Sequence, residues 1–221
     1  MYVSGRENIP KDKPVIFASN HPNSFKDAVV VGMNIGRPMI TLVRSDVFKS
    51  AFARWLLSLW RLIPVYRIQE GTENLKKNDT TFEICERELQ NQGTLLIFSE
   101  GICVSEKRLR PLKKGTARIA FQAMKNIEDI YIVPTGINYT HFTQFGGEIM
   151  LGFGKPIRVS DYQQLFEENQ AKAVNKLTTD LKEAMAKEII IIDDRTREPL
   201  VESFFNIART MQNETFLPWK K

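Results

Sequence analysis

The chain has 221 residues, enough for one domain with a sizeable core. Its 43% apolar and 26% charged residues, with 12 Gly and 10 Pro, exclude a low-complexity or collagen-like sequence. The net charge of +5 favours an anionic partner, and no run of roughly 18 apolar residues is there to span a bilayer.

The opening MYVSGRENIP lacks the basic-then-apolar order of a signal peptide. From there, short β-rich apolar runs alternate with helical patterns. In chain order the reading is strand Val15-Phe17, helix Ala28-Met33, strand Met39-Val43, helix Asp46-Leu62, strand Ile63-Tyr66, helix Asn78-Gln92, strand Thr94-Phe98, helix Thr116-Lys125 and strand Ile130-Pro134. Met150-Phe153 reads as a further strand closed by Gly154 and Pro156, and Gln163-Lys187 as a mostly polar surface helix pair. This alternation predicts an α/β fold: a single domain over 1–221 with a mostly parallel central sheet flanked by helices. Cys85 and Cys103 form no framework and no metal-ligand spacing, and read as reduced thiols of a cytosolic protein. Neither a metal nor a cofactor is expected.

One of the two histidines stands in FASNHPNSFKDA, after the first long apolar run. Pro22 pushes His21 away from the α region, and Ser24 is placed as an N-cap, with the helix running on through Asp27-Ala-Val-Val-Val. Residues six apart on one straight helix point about 120° apart, so His21 and Asp27 cannot meet if both are helical. A histidine in the loop can fold back onto an aspartate in the first turn. The carboxylate then binds one ring nitrogen and leaves the other free as a base. The competing reading is structural: Ser24-Phe-Lys-Asp27 also fits a capping box, which makes Asp27 a helix cap and nothing more.

Further blocks follow in order. They are Ile63-Pro-Val-Tyr-Arg67, Phe98-Ser-Glu-Gly101 running on to Leu112-Lys-Lys-Gly115, and Ile132-Val-Pro-Thr135 with Gly152-Phe-Gly-Lys-Pro156 trailing. Together with Asn20-His21 and Asp27 they resemble, in order and spacing, the phospholipid/glycerol acyltransferase family of lysophosphatidate and glycerol-phosphate acyltransferases. The resemblance covers about 14–157, leaving a helical C-terminal part of about 158–221. Two departures stand out. The histidine and aspartate are separated by five residues where the family commonly has four, and Glu100-Gly-Ile-Cys-Val-Ser105 replaces its common E-G-T-R-S. Both are similar to the fungal-type glycerol-3-phosphate acyltransferase branch, and they leave the acyl acceptor open.

What the resemblance implies is acyl transfer from an acyl-CoA or acyl carrier protein thioester to a hydroxyl of a glycerol-phosphate or lysophosphatidate acceptor. His21 is the base and Asp27 its partner. Arg67 and the Glu100-Gly101 turn line the acceptor pocket, with Glu100 orienting the acceptor or a neighbouring cation, and Asn20 is counted with the substrate-binding residues. Arginine suits a phosphate because its planar fork binds two oxygens at once. Lys113 and Lys114 precede a helix whose N-terminus also favours an anion, and they rank second. The segment from Lys107 to Arg118 is strongly basic, but a solvated face accounts for Lys107, Arg108 and Arg110 equally well. His141 has no carboxylate at helpful spacing, and nothing basic stands by Cys103 to activate it.

On a helical wheel of 48–62, Phe48, Phe52, Trp55, Leu56, Leu59 and Leu62 form one apolar arc, Arg54 and Arg61 lie opposite, and Leu57 and Trp60 fall outside it. Surplus Trp and Leu beside Arg and Lys is the composition of a lipid interface. The expectation is peripheral contact with the inner, cytoplasmic face of a membrane. A rival reading makes the chain a non-catalytic membrane-surface or anionic-ligand-binding domain that uses 107–118. Nucleic acid is disfavoured, since that segment lacks interleaved aromatics. A thioester hydrolase has no G-x-S-x-G elbow to support it.

Overall fold

In the computed structural model, residues 1–48, 50–66, 77–142, 147–192, 194–197, 199–201 and 203–204 are described. The strands are β1 (Tyr2–Ser4), β2 (Val15–Ser19), β3 (Ile40–Arg44), β4 (Leu62–Val65), β5 (Thr94–Phe98), β6 (Tyr131–Tyr139), β7 (Ile149–Phe153) and β8 (Ile157–Arg158). The main helices are α1 (Phe25–Ile35), α2 (Ala51–Leu59), α3 (Lys77–Gln90), α4 (Gly115–Ala123), α5 (Gln163–Glu168) and α6 (Gln170–Ala186). The strands form one sheet in the order β1-β7-β6-β2-β5-β3-β4, with β8 paired to β6. Pairing is parallel except where β7 and β8 meet β6. The expected α/β architecture with a mostly parallel sheet is the one observed.

The central strand shows why these residues form this sheet. All five side chains of β2 are buried, because helices cover both faces. Successive residues point to opposite faces. Val15 and Phe17 join Val30, Val31 and Ile35 of α1, with Val133, Ile137 and Tyr139 of β6. Ile16 and Ala18 join the opposite cluster, which contains Leu89 of α3, Ala120 and Phe121 of α4, and Leu177 and Leu181 of α6. In that second cluster Cys85 is fully buried, and burial pushes its thiol up to about 12, so it is a core residue.

Several sequence expectations need correction. The helix read over 46–62 is in fact a short 3-10 turn at Ser45–Phe48, then α2, then strand β4. Arg61 makes the break in the left-handed region, at φ 54°, which is a position more often given to glycine. The wheel is therefore wrong in detail. Leu62 is a buried strand residue, Trp55 and Leu59 are 58% and 61% exposed, and Leu57 is half-buried. The side chains of Phe52, Arg54 and Leu56 lie outside the described residues. The C-terminal helix pair is not confined to the surface. Ala173, Val174, Leu177, Leu181 and Met185 put one stripe of α6 into the core, the burial expected of an amphipathic helix.

Because β2, β5 and β6 run parallel, with Ser19 level with both Phe98 and Thr135, their carboxyl ends share one edge. In open α/β sheets this edge is where ligands bind.

Candidate active site

The loop leaving β2 at that edge is fixed on three sides. Asn20 is buried, and its side chain pairs with the backbone of Ile137 on β6. Nδ2 donates to the carbonyl at 2.9 Å, and Oδ1 accepts from the amide at 2.8 Å. The amide of His21 donates to Glu100 Oε2 at 3.1 Å, and its carbonyl accepts from the Val104 amide at 3.0 Å. The imidazole stacks on Phe98, with ring centroids 3.8 Å apart.

Within this frame His21 Nδ1 lies 2.9 Å from Asp27 Oδ2, so the loop folds back onto the first turn of α1. Asp27 has no exposure, and its Oδ2 also accepts the Asn23 amide at 2.7 Å. The capping-box reading is overturned. The Ser24 side chain makes no capping bond, and Asp27 reaches back to Asn23, not to Ser24. Tyr139 adds a third donor, its hydroxyl 2.8 Å from Asp27 Oδ1. The sequence reading missed this residue. With Nδ1 bound to Asp27, the ring edge carrying Nε2 is the one left for chemistry, and the His21 side chain is 18% exposed.

Glu100 holds two loops together. Its Oε2 accepts from His21 and its Oε1 accepts the Arg110 amide at 2.8 Å. Burial holds its pKa above the usual carboxylate range, while the amides of Arg110 and His21 pull it back. Both carboxylate oxygens therefore face backbone donors, and a glutamine can accept from only one of them. Glu100→Gln sets an amide N–H against an amide NH₂, which costs about 1–3 kcal/mol. The thermal midpoint should fall and turnover with it, as the His21 backbone is released. An unchanged midpoint and unchanged turnover would show that this bracket is dispensable.

Gly101 follows at φ 70°, a backbone conformation that favours glycine, and an added Cβ would lie 3.1 Å from Lys113 Cγ, so this exposed side chain would have to shift. Lys113 and Lys114 lie where α4 begins, beside this turn, and both are exposed. Arg67 lies outside the described residues. Arg110 and Arg108 are not a free basic face: Arg110 Nη2 is 2.9 Å from Glu106 Oε2, and Arg108 Nε is 3.9 Å from it. Cys103 turns its Sγ to the Ser24 amide at 3.1 Å. Cys103 is an exposed residue, yet partial desolvation of its thiol, and then the nearby Asp27 and Glu100, hold it above its ordinary range. No group of three or more potential metal ligands occurs among the described residues.

The profile of a family described as Acyltransferase matches residues 1–138. The chain belongs to the acyltransferase family. Relatives of this acyltransferase include a chloroplastic 1-acyl-sn-glycerol-3-phosphate acyltransferase of Brassica napus, 26% identical over 61% of this chain and 37% of its own length. Glycerol-3-phosphate O-acyltransferase 2 of Saccharomyces cerevisiae is 28% identical over 79% of this chain and 24% of its own. A probable 1-acyl-sn-glycerol-3-phosphate acyltransferase of Mycoplasma pneumoniae is 24% identical over 76% and 65% respectively. The chain thus spans less than two thirds of the length of each of these relatives. Among solved structures, the 1-acyl-sn-glycerophosphate acyltransferase of Thermotoga maritima shares the fold. Its TM-score is 0.55 at 20% identity, over 82% of this chain and 70% of that one.

Proposed function

We propose that this acyltransferase moves a fatty acyl group from the thioester of acyl-CoA or acyl carrier protein to a hydroxyl of glycerol 3-phosphate or lysophosphatidate. The observation that carries the reading is the contact of His21 with the buried Asp27 at the carboxyl edge of the sheet, in a chain of this family. The relatives named for glycerol-phosphate and acylglycerol-phosphate acceptors supply the substrate class.

In this mechanism His21 Nε2 takes the proton from the acceptor hydroxyl as its oxygen attacks the thioester carbonyl. Asp27 fixes the tautomer and stabilises the imidazolium. The tetrahedral intermediate collapses by breaking the C–S bond, and the imidazolium returns its proton to the departing thiolate. The new ester and a free thiol leave, and no acyl-enzyme forms. Because the Ser24 amide is bonded to Cys103, the oxyanion falls to the following first-turn amides, those of Phe25 and Lys26. Arg67, with Lys113 and Lys114, supplies the positive charge for the acceptor phosphate. Counting free thiol from an acyl-CoA or acyl carrier protein, with and without acceptor, tests the reading. Release that needs the acceptor supports it. Equal release without acceptor indicates a hydrolase, and no release indicates a binding domain.

Peripheral contact with the cytoplasmic leaflet belongs to the same proposal. No helix among the described residues is long and apolar enough to cross a membrane. Phe25, Trp55, Leu59 and Trp60 are all at least half exposed, and the Phe25 and Trp60 rings meet edge to face at 5.4 Å. Phe25 opens the helix that carries Asp27, so this apolar patch adjoins the proposed site. Replacing Trp55, Leu59 and Trp60 with serine should weaken binding to anionic vesicles and leave the thermal midpoint nearly unchanged, because exposed side chains contribute little to stability. A large loss of thermal stability with unaltered vesicle binding would remove the membrane assignment.

A further inference from the structure

We propose that Tyr139 is a positioning residue of this site, whose hydroxyl orients the Asp27 carboxylate toward His21 and takes a share of its charge. The proposal rests on the His21–Asp27 reading above. Asp27 is wholly buried on α1, whose apolar residues Val30 and Val31 pack with Phe17, and there the charge of a carboxylate has to be taken up by hydrogen bonds and by its ionic partner. Oδ2 has two donors, His21 Nδ1 and the Asn23 amide, whereas Tyr139 supplies the bond to Oδ1 at 2.8 Å. With Oδ2 alone tethered, two hydrogen bonds resist rotation of the carboxylate about Cβ–Cγ, and the bond to Oδ1 adds a third on the opposite oxygen.

Tyr139 is itself rigid. It closes β6 opposite Ile149 of β7, is 2% exposed, and carries Lys26 Nζ 4.7 Å above its ring. Burial first, then the Asp27 charge, push its hydroxyl far above the ordinary phenol range, so it stays a donor at every relevant pH. The charged and titratable neighbours are His21 and Asp27 themselves, Lys26 on α1, and Glu100 and Cys103 from the loop after β5. Glu106 and Lys107 line a small cavity together with Tyr139.

A carboxylate that shares its charge among three donors leaves less for the imidazole. Removing the Tyr139 hydroxyl concentrates that charge on His21, which then holds its proton to higher pH. Tyr139→Phe keeps the ring, its packing and the contact with Lys26, so the change is confined to the donor on Asp27 Oδ1, and a thermal melt confirms that the variant is folded. Two measurements on the full chain read the change. In the NMR titration of the two histidine rings, His21 should titrate at higher pH in the variant, with His141 as an internal control. In acyl transfer, kcat should fall about ten-fold with both KM values unchanged, and the acid limb of the pH profile should move upward by the same amount as the ring titration. In an Asp27→Asn background the exchange should leave His21 unmoved, because no carboxylate charge remains to be shared. An unmoved or lowered His21 titration in the single variant overturns the proposal, as does a full-sized shift when Tyr139→Phe is added to Asp27→Asn. If the wild-type chain transfers no acyl group, the proposed function fails, while the ring titration still decides the role of Tyr139.

Discussion

His21→Ala is expected to lower acyl transfer by about 10²–10⁴-fold, the usual effect of losing a positioned base. The fold should survive. The His21 side chain is partly exposed at the carboxyl edge of the sheet, and the loop bonds around it use its backbone amide and carbonyl, which alanine retains. Thiol release with acceptor present measures the loss, and a thermal melt separates it from unfolding. Turnover equal to wild type in a folded variant would end the general-base mechanism.

Asp27→Asn is the sharper experiment, because the structure shows how asparagine can fit. Its oxygen can take the place of Oδ2 and accept from His21 and Asn23, while its NH₂ donates to the Tyr139 oxygen. Stability should change little, whereas the charge that stabilises the imidazolium disappears. Activity should fall by about 10²–10⁴-fold, with the melting curve close to that of wild type. Retained activity would return Asp27 to the role of a tie for the start of α1.

Much of this was legible in the sequence because local signals agreed with tertiary structure. Val15-Phe17 reads as a buried strand from composition alone, and Pro22 is enough to free His21 for the turn that meets Asp27. Other features were hidden for identifiable reasons. Apolar residues dominate 55–63, so nothing marks the point where α2 gives way to β4, and the residue that makes the turn is an arginine. The strand Ile130-Pro134 reads as ending at its proline, which lacks a ladder donor, yet β6 runs on to Tyr139. Tyr139 was missed for that reason. The roles of Asn20 and Glu100 depend on which backbone groups lie opposite them across the sheet edge, and no spacing along the chain encodes that.

The placing of β2 between β5 and β6 also governs how the molecule comes into being. Val15 pairs with Thr94 on one side and Tyr131 on the other, so β2 has neither neighbour when it leaves the ribosome. At ordinary elongation rates it waits on the order of ten seconds for β6. Until β5 is made both edges of β2 are unpaired, and from then until β6 is made one edge still is, with five side chains destined for burial not yet fully covered. Nor can Asp27 receive its third donor before Tyr139 has been added. Maturation of this edge is therefore a late, long-range event, and a chain stalled between α1 and β6 holds His21 and Asp27 but not the strand that completes their surroundings.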